Sequence, residues 1–541
     1  MSLLPFLTVA FGVGALSLLT RRRERPSAVI GIGGLIAAAA LALAIHAEKP
    51  FVVAGGGLAG SDYARLFLFL GAAAGVLMAI VGLTTTWSRS LPGATLLVLG
   101  AAGLALGAVD PRTAVLAATG GAVVGVLVTL VGPARDRGVV VAVRELRALV
   151  LAGVLALLAA AAIVAPVTGT RADPAILGLA YIAFAAATAI RFGAIPLNLW
   201  TARVADAAPE VGLPLVAAWG PAAFAAVALT WTAGSVVPVG EPLSLERGLI
   251  VVVAAASIIL GTVFAFRDDD LEHVVGWSIV ADGGFVLLGL AALDPAAWAP
   301  VRIWLLALVA SKTAFAAWAG AMRATFGTRK VSELGGWVTR APILALGLLA
   351  VLVAGVGWPG MAAFAARDTL IGLVLDRPFA TILVAGGLAS VFYYGRLVTI
   401  GVSRTSDKVD AVTAAGARWP SRRTAAAPPS GELPRRPRGL AAWRANRAPI
   451  AAASVLVLGA LAVAVSGGGL GVTAAAEATP PPPVSTPLPS GVPAASGVPG
   501  ASGVPASSVE PTPAASRRAA PAPSGAAAST APASPVATPG G

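Results

Sequence analysis

Residues 303–322 read IWLLALVASKTAFAAWAGAM, an apolar run of twenty in which Lys312 is the only charged residue. A run of about 20 apolar residues is long enough to cross the hydrocarbon core of a bilayer as one α-helix. The stretch therefore predicts a transmembrane helix with an ionisable group near its middle. Because a charge in lipid is costly, it also predicts that other helices enclose this one.

Similar apolar runs recur along the whole chain. Of its 541 residues, 57% are hydrophobic and only 12% are charged, whereas a soluble protein carries about 25% charged residues. We predict an all-α polytopic membrane protein with about 14 transmembrane helices, which excludes a soluble enzyme with one compact core. The predicted segments are 3–20, 28–46, 64–84, 92–109, 113–132, 146–166, 175–199, 212–236, 248–266, 273–293, 300–322, 341–375, 379–402 and 448–472.

Two of these segments are predicted to be broken. Segment 341–375 is too long for one straight helix and contains Gly357 and Pro359, which predicts a break near 355–368. Segment 175–199 has Pro196 near its end, and Asp206 and Pro209 follow, which predicts a second break near 191–210. A broken helix leaves backbone groups that lipid cannot satisfy, so both breaks are expected to face protein or water.

Basic residues fall on one side of the predicted membrane. The loops after segments 1, 5, 11 and 13 are rich in arginine, whereas the loops between them are poor in Lys and Arg. The positive-inside rule then places the N- and C-termini outside the cytoplasm of a multi-pass protein in the cell membrane. We interpret the net charge of +13 as this loop bias rather than as a nucleic-acid-binding face, so nucleic acid is not an expected partner.

The last quarter of the chain departs from the membrane pattern. Residues 403–447 are basic and rich in proline, which predicts a cytoplasmic loop, and 448–472 forms the last predicted transmembrane helix. Residues 473–541 consist mainly of Pro, Ala, Ser and Gly, a composition that cannot bury enough apolar surface to fold. We predict a disordered extracytoplasmic tail there.

The chain has few residues that bind cofactors. It contains no cysteine and only two histidines, His46 and His273, which argues against thiolate, iron–sulfur, haem and zinc sites. We therefore expect no cofactor or metal to be bound by this chain itself, and no redox chemistry of its own.

The candidate functional residues are ionisable groups inside or beside apolar spans. They are Arg191, Asp282, Lys312, Arg367 and Asp368, with His273 near a span end as a weaker candidate. Buried Lys and Asp can exchange protons, whereas arginine keeps its proton and can only set the local field. One hypothesis is a chain of groups that carries protons, with Asp282, Lys312 and His273 as its exchanging members. The alternative is that these charges pair only to hold the helices in register or to bind a partner subunit.

Several of these residues lie in motifs of a known family. The stretches are RFGAIPLNLW (191–200) with DAAP (206–209), LEHVVGWSIVADGGF (271–285), SKTAF (311–315), GWPG (357–360) with Arg367-Asp368, and YYGR (393–396). In this order they resemble the antiporter-like membrane subunits of respiratory complex I, most closely NADH-quinone oxidoreductase subunit N. The cation/proton antiporter subunits of the Mrp type share that fold.

The resemblance implies a fourteen-helix fold with two broken helices. It covers an antiporter-like core at 175–402 and is weak over the N-terminal helices, 1–174. It also implies a role in proton translocation coupled to electron transfer to quinone. NADH and quinone would be used by the complex, and the partners would be its other membrane subunits and the lipid bilayer.

The sequence departs from the family at charged positions. Lys312 keeps the family's lysine, whereas Arg191 and Arg367 stand where the family has lysines, and Thr119 stands where it has a glutamate. Three functions therefore remain open: a proton-translocating subunit of the complex, an Mrp-type monovalent cation/proton antiporter subunit, or a non-pumping structural subunit. Whether the chain acts as part of an enzyme, a translocase, is open for the same reason.

Overall fold

The computed structural model describes residues 3–46, 51–53, 56–85, 90–130, 136–164, 174–197, 204–205, 207–208, 210–239, 243–375, 388, 390–407, 409–410 and 447–477. All of these residues lie in one compact unit, Met1–Thr486. The remainder of the predicted tail, most of the predicted loop 403–447, and Asp206 and Pro209 lie outside the described residues.

The described residues are helical apart from short connections and one hairpin. In the hairpin, β1 (Phe51–Val53) pairs antiparallel with β2 (Gly56–Leu58). The helices are α1 (Leu4–Leu19), α2 (Glu24–Leu43), α3 (Asp62–Thr85), α4 (Leu91–Gly107), α5 (Pro111–Leu130), α6 (Asp136–Val164), α7 (Pro174–Phe192), α8 (Gly220–Trp231), α9 (Ser244–Arg267), α10 (Leu271–Ala292), α11 (Trp298–Phe326), α12 (Trp337–Arg340), α13 (Pro342–Val356), α14 (Ala362–Val374), α15 (Ser390–Val402), α16 (Arg447–Ser466) and α17 (Val472–Ala476).

The chain is a multi-pass membrane protein. Among the described residues, eleven helical stretches are long and apolar enough to cross a membrane, and two shorter apolar helices, α4 and α13, accompany them. Large apolar side chains such as Leu158, Val252 and Leu179 point away from the bundle, as expected for helices that face lipid. The predicted all-α polytopic class is therefore confirmed.

Proline and glycine set many helix boundaries. Helices α5, α7 and α13 begin with a proline, whose missing N–H has no partner in the first turn of a helix. Gly327 follows α11 with a left-handed φ of 71°, and Gly193 follows α7 with a φ of 63°. Glycine reaches this conformation without strain and so ends a helix readily.

Both predicted breaks are present. Helix α13 ends at Val356, and Gly357 (φ 60°), Pro359 and Gly360 (φ 93°) form the turn before α14 begins at Ala362. The break is shorter than predicted because residues from Ala362 onward, including Arg367 and Asp368, are helical.

The other break follows α7. Pro196 lies in the turn after Phe192, and a second helical span, Glu210–Val236, follows later in the chain with α8 as its core.

The centre of the bundle is formed by α10 and α11. Both helices are largely apolar and enclosed. In an 18-residue stretch, 94% of the residues are buried in α10 and 100% are buried in α11. In peripheral α9, by comparison, only 39% of the residues in a stretch of the same length are buried. A helix that is apolar all round and enclosed in this way belongs to the interior of a bundle.

Small residues let α7 and α9 approach α10 closely. A Cβ added at Gly261 of α9 would lie 2.8 Å from the Ala281 backbone nitrogen, and one at Gly284 would lie 2.7 Å from the Ala254 carbonyl oxygen. A Cβ at Gly283 would lie 2.9 Å from the Cβ of Phe192. Such small-residue contacts are a common means of packing helices in membranes, and they fix α10 beside the end of α7.

The chain stays ordered at the beginning of the predicted tail. Helix α17 follows α16 after a glycine-rich turn, and Val472, Ala475 and Ala476 are buried. The guanidinium group of Arg302 donates to the carbonyl of Ala476 at 3.4 Å and lies over the Tyr63 ring at 4.1 Å. The few apolar residues at the start of this segment are therefore enough to dock it on the bundle.

Candidate functional site

The centre of the bundle holds a buried ion pair between α10 and α11. The Nζ atom of Lys312 lies 2.7 Å from Oδ2 of Asp282. The side chain of Lys312 is fully buried, and that of Asp282 is 7% exposed. Because an isolated charge at this depth would be strongly unfavourable, each group depends on the other for its charged form.

Neighbouring polar groups on α11 are satisfied within the protein. The hydroxyl of Ser311 donates to Leu308 O at 3.2 Å, and that of Thr313 donates to Val309 O at 2.6 Å. The indole N–H of Trp304 donates to the backbone carbonyl of Asp282 at 3.0 Å, which ties α11 to α10 at the level of the ion pair. The Lys312 ammonium group is therefore the one charged donor that this face of α11 directs at Asp282.

Two tyrosines of α15 complete the surroundings of the pair. Tyr393 and Tyr394 are buried, with ring centroids 4.4 Å apart, and Tyr394 interacts electrostatically with both Lys312 and Asp282. The YYGR motif contributed to the family resemblance, but sequence reasoning did not place its tyrosines at the site. A pair of phenols inside an apolar helix is the signal that could have done so, because a buried hydroxyl needs a polar partner.

Arg367 lies at the break between α13 and α14. It is buried, and its Nη1 atom donates to the carbonyl of Val356, the last residue of α13, at 3.0 Å. This carbonyl has no partner within its own helix, and a cation is favoured at a helix C-terminus. The guanidinium carbon also lies 5.6 Å from the Phe285 ring centroid and 5.9 Å from that of Trp304. Arg367 therefore stabilises the break and adds positive charge on the α14 side of Asp282, with which it interacts electrostatically.

Arg191 lies at the end of α7 and is also buried. Its Nη2 atom donates to the hydroxyl oxygen of Thr119 at 2.7 Å, and its Nη1 atom donates to Ala118 O at 3.3 Å. The Phe224 ring centroid lies 4.1 Å from the guanidinium carbon. Thr119 therefore accepts a hydrogen bond from this arginine but supplies no negative charge.

The acidic side chain near Arg191 comes from α6. Glu145 is buried, with 1% of its surface exposed, and interacts electrostatically with Arg191. Its Oε2 atom has no hydrogen-bond partner among the described residues. Glu145 lies just outside the predicted segment 146–166, whereas the observed helix α6 begins at Asp136 and carries Glu145 inside the bundle.

The end of α7 contacts the middle of α10 next to the ion pair. Phe192, directly after Arg191, packs against Gly283, directly after Asp282. Asp282, Lys312 and Arg367 thus lie on the contacting helices α10, α11 and α14, and Arg191 lies on α7, which also contacts α10.

Two candidates lie elsewhere. Asp368 is exposed on the outer side of α14, one residue beyond the buried Arg367. His273 is half-buried near the start of α10, nine residues or about 13 Å along the helix from Asp282. Its Nδ1 atom lies 3.3 Å from Oδ2 of Asp268 in the preceding loop.

The Asp268 carboxyl group lies outside the spanning helices. Burial alone would raise its pKa, but hydrogen bonds from His273 and from the Asp270 backbone N–H outweigh this effect and lower the pKa of Asp268 below its ordinary value. The structure therefore holds this carboxyl group as a carboxylate at the end of the bundle.

The predicted helix-break residues can be placed in part. Pro196, Gly357 and Pro359 lie in the turns at the two breaks, whereas Asp206 and Pro209 lie outside the described residues. Among the residues that the structure describes, no group of three or more His, Asp or Glu side chains is arranged to hold a metal ion.

Comparison with known proteins identifies the same region. Residues 149–393 match the family described as the transmembrane region of NADH:quinone oxidoreductase and Mrp antiporters. NADH-quinone oxidoreductase subunit N of Halorhodospira halophila is 25% identical over 256 residues, which are 46% of this chain and 52% of that protein. The chain spans about half the length of the curated relatives that it matches.

The fold is similar over a longer range. A chain of respiratory complex I from Thermus thermophilus superimposes with a TM-score of 0.63 at 17% identity, covering 87% of this chain and 99% of that chain. A chain of the Mrp complex from Dietzia superimposes with a TM-score of 0.64 at 21% identity, covering 86% of this chain and 52% of that chain. These two likenesses concern the fold, and the sequence match is confined to residues 149–393. Residues 149–393 therefore resemble the transmembrane region of NADH:quinone oxidoreductases and Mrp antiporters, at low identity to the individual relatives.

Proposed function

We propose that the chain is a membrane subunit of an NADH-quinone oxidoreductase-type complex and takes part in proton translocation coupled to electron transfer to quinone. The observation that carries the proposal is the 2.7 Å ion pair between Lys312 and Asp282 at the centre of the bundle. The names of the sequence relatives support the type of complex. In this proposal NADH and quinone are bound by other subunits, and this chain contributes only proton-carrying side chains.

The ion pair has the chemistry that proton exchange requires. At 2.7 Å the ammonium group can donate its proton to the carboxylate, which converts two charges into two neutral groups without changing the net charge. In an interior of low dielectric the two forms respond strongly to a nearby charge. A change in the electric field along α10 and α11 therefore shifts the equilibrium between two protonation states. In one the proton is on Lys312, and in the other it has moved to Asp282.

The two arginines act in a different way. Arg191 and Arg367 keep their protons and donate to backbone carbonyls or Thr119, so they set the field on the two sides of the pair. Tyr394, between Lys312 and the α13 break, provides a hydroxyl through which water or a proton can reach the pair. We assign the exchange to Asp282 and Lys312, and positioning to Arg191, Arg367 and Tyr394.

The proposal also covers location and partners. We place the chain in the cell membrane beside other membrane subunits, with both termini outside the cytoplasm. The arginine-rich turn after α1 supports this orientation, because such turns face the cytoplasm. The same face would carry the connection between α11 and α12, where Arg323, Arg329 and Lys330 lie.

The test is Lys312→Met in the native membrane, with Lys330→Met as the matched control because Lys330 is exposed beyond the end of α11. The measurements are NADH-driven proton uptake by inverted vesicles, NADH oxidation, and the amount of assembled complex. We expect Lys312→Met to abolish coupled proton movement while the assembled complex persists, and Lys330→Met to leave both unchanged. Unchanged proton uptake in an assembled Lys312→Met complex would remove Lys312 from the path.

A second candidate is an Mrp-type cation/proton antiporter subunit. It is favoured by the structural likeness to the Dietzia chain, which is as close as the likeness to the complex I chain. Sodium-dependent proton exchange in vesicles without NADH, lost in Lys312→Met, would support this function. A structural subunit is indicated instead if Asp282→Asn leaves proton uptake intact but reduces assembly.

A further inference from the structure

A second buried carboxylate site lies at the end of the bundle where α10 begins and α11 ends. Glu210 opens the span Glu210–Val236, and Glu272 lies in the first turn of α10. Both side chains are only 2% exposed. The guanidinium group of Arg323, near the end of α11, donates through the same Nη1 atom to Oε1 of Glu210 and to Oε1 of Glu272, the latter at 2.7 Å.

The two carboxyl groups are close together. Two oxygens that share one donor nitrogen lie within about 5.5 Å of each other, and the two carboxyl groups interact electrostatically. Ionised carboxylates can only accept hydrogen bonds, so a bond between them needs one proton. In addition, Oε2 of Glu210 receives no hydrogen bond from the described part of the chain, although it is buried.

The charge balance of the cluster leads to the same conclusion. Arg329 donates to Oε2 of Glu272 at 3.2 Å, and its Nε atom lies 2.8 Å from Oδ2 of Asp270. Three carboxyl groups thus face two guanidinium groups, which leaves one negative charge in excess. An uncompensated buried charge is unfavourable, and a bound proton removes it.

The other charged groups on the neighbouring elements are already paired. His273 contacts Asp268, and Arg396 of α15 lies 3.5 Å from Oδ1 of Asp269. Lys330 is exposed. The N-terminus of α10 favours negative charge near Glu272, but the effect of a helix terminus is smaller than the repulsion between two adjacent carboxylates.

The cluster lies beside water, and two of its members lie on the same two helices as the central ion pair. The side chain of Arg323 is 39% exposed, so solvent reaches the guanidinium group that bridges the two glutamates. Lys312 and Arg323 are eleven residues apart on α11, about three turns, and therefore lie on the same helix face. Glu272 and Asp282 likewise share α10. The site thus lies at the solvent-accessible end of the two helices that carry the Lys312–Asp282 pair.

We propose that Glu210 and Glu272, which both bind Arg323, share a single proton. We further propose that this pair takes up protons from the adjacent water and passes them to the central ion pair, which is its loading role. The loading role rests on the proposed function, whereas the shared proton does not. Neither glutamate was a candidate from sequence, because each lies at the end of a span, where an acidic residue is usually solvated.

The shared proton is tested by infrared spectroscopy of the purified full-length chain in lipid nanodiscs. Glu210→Gln and Glu272→Gln are compared with Asp368→Asn, whose carboxyl group is exposed. We expect both glutamine variants to lose the same carbonyl band of a protonated carboxyl group near neutral pH, because removal of either acid lets Arg323 pair with the other as a carboxylate. Asp368→Asn should keep the band. A band that survives both changes, or that disappears in only one of them, overturns the shared site.

Two further measurements complete the test. If a glutamine variant does not fold, Glu210→Asp or Glu272→Asp, which withdraws the carboxyl group by one methylene, should lose the band instead. For the loading role, Glu272→Gln in the native membrane should lower NADH-driven proton uptake about tenfold, as expected for a unit change in the proton affinity of a relay group, while assembly is retained.

The outcomes separate the two proposals. Unchanged uptake in Glu272→Gln overturns the loading role alone. If Lys312→Met leaves uptake intact, the proposed function fails, and the infrared result still decides the shared proton.

Discussion

The hydroxyl of Tyr394 occupies the space in which a side chain at position 355 would begin. A Cβ added at Gly355 would lie 2.6 Å from the Tyr394 hydroxyl oxygen. Gly355 precedes the break after α13, and Tyr394 interacts electrostatically with Lys312. The glycine-rich end of α13 therefore has two effects. It allows the turn after α13, and it leaves room for the Tyr394 hydroxyl to reach the ion pair at the centre of the bundle.

We expect Gly355→Ala to displace Tyr394 and to weaken both packing and proton movement. Overpacking of a buried contact costs about 1–3 kcal/mol, whereas alanine in an open helical position gains about 0.5–1 kcal/mol relative to glycine. The matched control is Gly395→Ala, next to Tyr394 on α15, because a Cβ there meets no atom within 4 Å. Thermal unfolding of the two variants in detergent measures the difference, and an equally stabilised Gly355→Ala would contradict the contact.

The ion pair predicts a strong non-additive effect on stability. Asp282→Asn or Lys312→Met alone leaves one buried charge without its partner and should reduce the free energy of unfolding by about 3–5 kcal/mol. The double variant Asp282→Asn/Lys312→Met removes both charges and should be more stable than either single variant. Denaturant unfolding of all four proteins gives the coupling. A double variant whose loss equals the sum of the single losses would show that the two groups do not interact.

Much of the architecture is readable from the sequence, because each of its causes is local. Apolar runs predict the spans, and Gly357 with Pro359 predicts the broken helix, since both act on the backbone of their own residues. Lys312 and Asp282 were identified individually by the same logic. That they form one pair depends on how α10 packs against α11, for which the sequence alone has no signal.

The sequence does not show which side of a helix each charged side chain faces or which distant side chain it meets. Arg367 and Asp368 are neighbours in sequence, but successive residues on a helix are turned by about 100°, so one is buried and the other is exposed. Glu210 and Glu272 are 62 residues apart in the numbering and meet only because Arg323 binds both. The hydropathy of their surroundings gives no indication of this contact.

Thr119 is predicted to stabilise Arg191 through its hydroxyl. Thr119→Val removes the acceptor of the 2.7 Å hydrogen bond from Nη2 and should cost about 1.5–3 kcal/mol, the range for a hydrogen bond to a charged group. Thr129→Val on the same helix is the control, because the Thr129 hydroxyl donates only to the backbone of its own helix, at Gly125. Unfolding in detergent measures both, and equal losses would argue against a specific role for Thr119.

Asp268 predicts a defined dependence of stability on pH. Its pKa is lowered in the folded protein, so the carboxylate contributes stability above the ordinary aspartate pKa of about 3.9, and this contribution is lost as the pH falls through the folded-state value. Asp268→Asn should therefore lower the melting temperature near neutral pH and make little difference at strongly acidic pH. Melting curves from acidic to neutral pH test this, with Asp407→Asn, an exposed residue, as the control. A constant difference between Asp268→Asn and the unaltered protein across this range would contradict the assignment.

The contact between α7 and α10 predicts that a larger residue at position 283 can be compensated by a smaller residue at position 192. Gly283→Ala places a methyl group 2.9 Å from the Phe192 Cβ and should separate the two helices, at a cost of about 1–3 kcal/mol. Because the Cβ of residue 192 remains in Phe192→Ala, that change should rescue Gly283→Ala only in part, whereas Phe192→Gly should restore the close approach. The separation also moves Arg191 away from Asp282, so proton uptake should fall in Gly283→Ala. Uptake should recover when Phe192→Gly is added. The unfolding free energy should recover less than uptake does, because Phe192→Gly also removes a buried aromatic ring. Recovery of stability without recovery of uptake would show that the spacing of the two helices supports packing alone and that Arg191 does not act on the central pair.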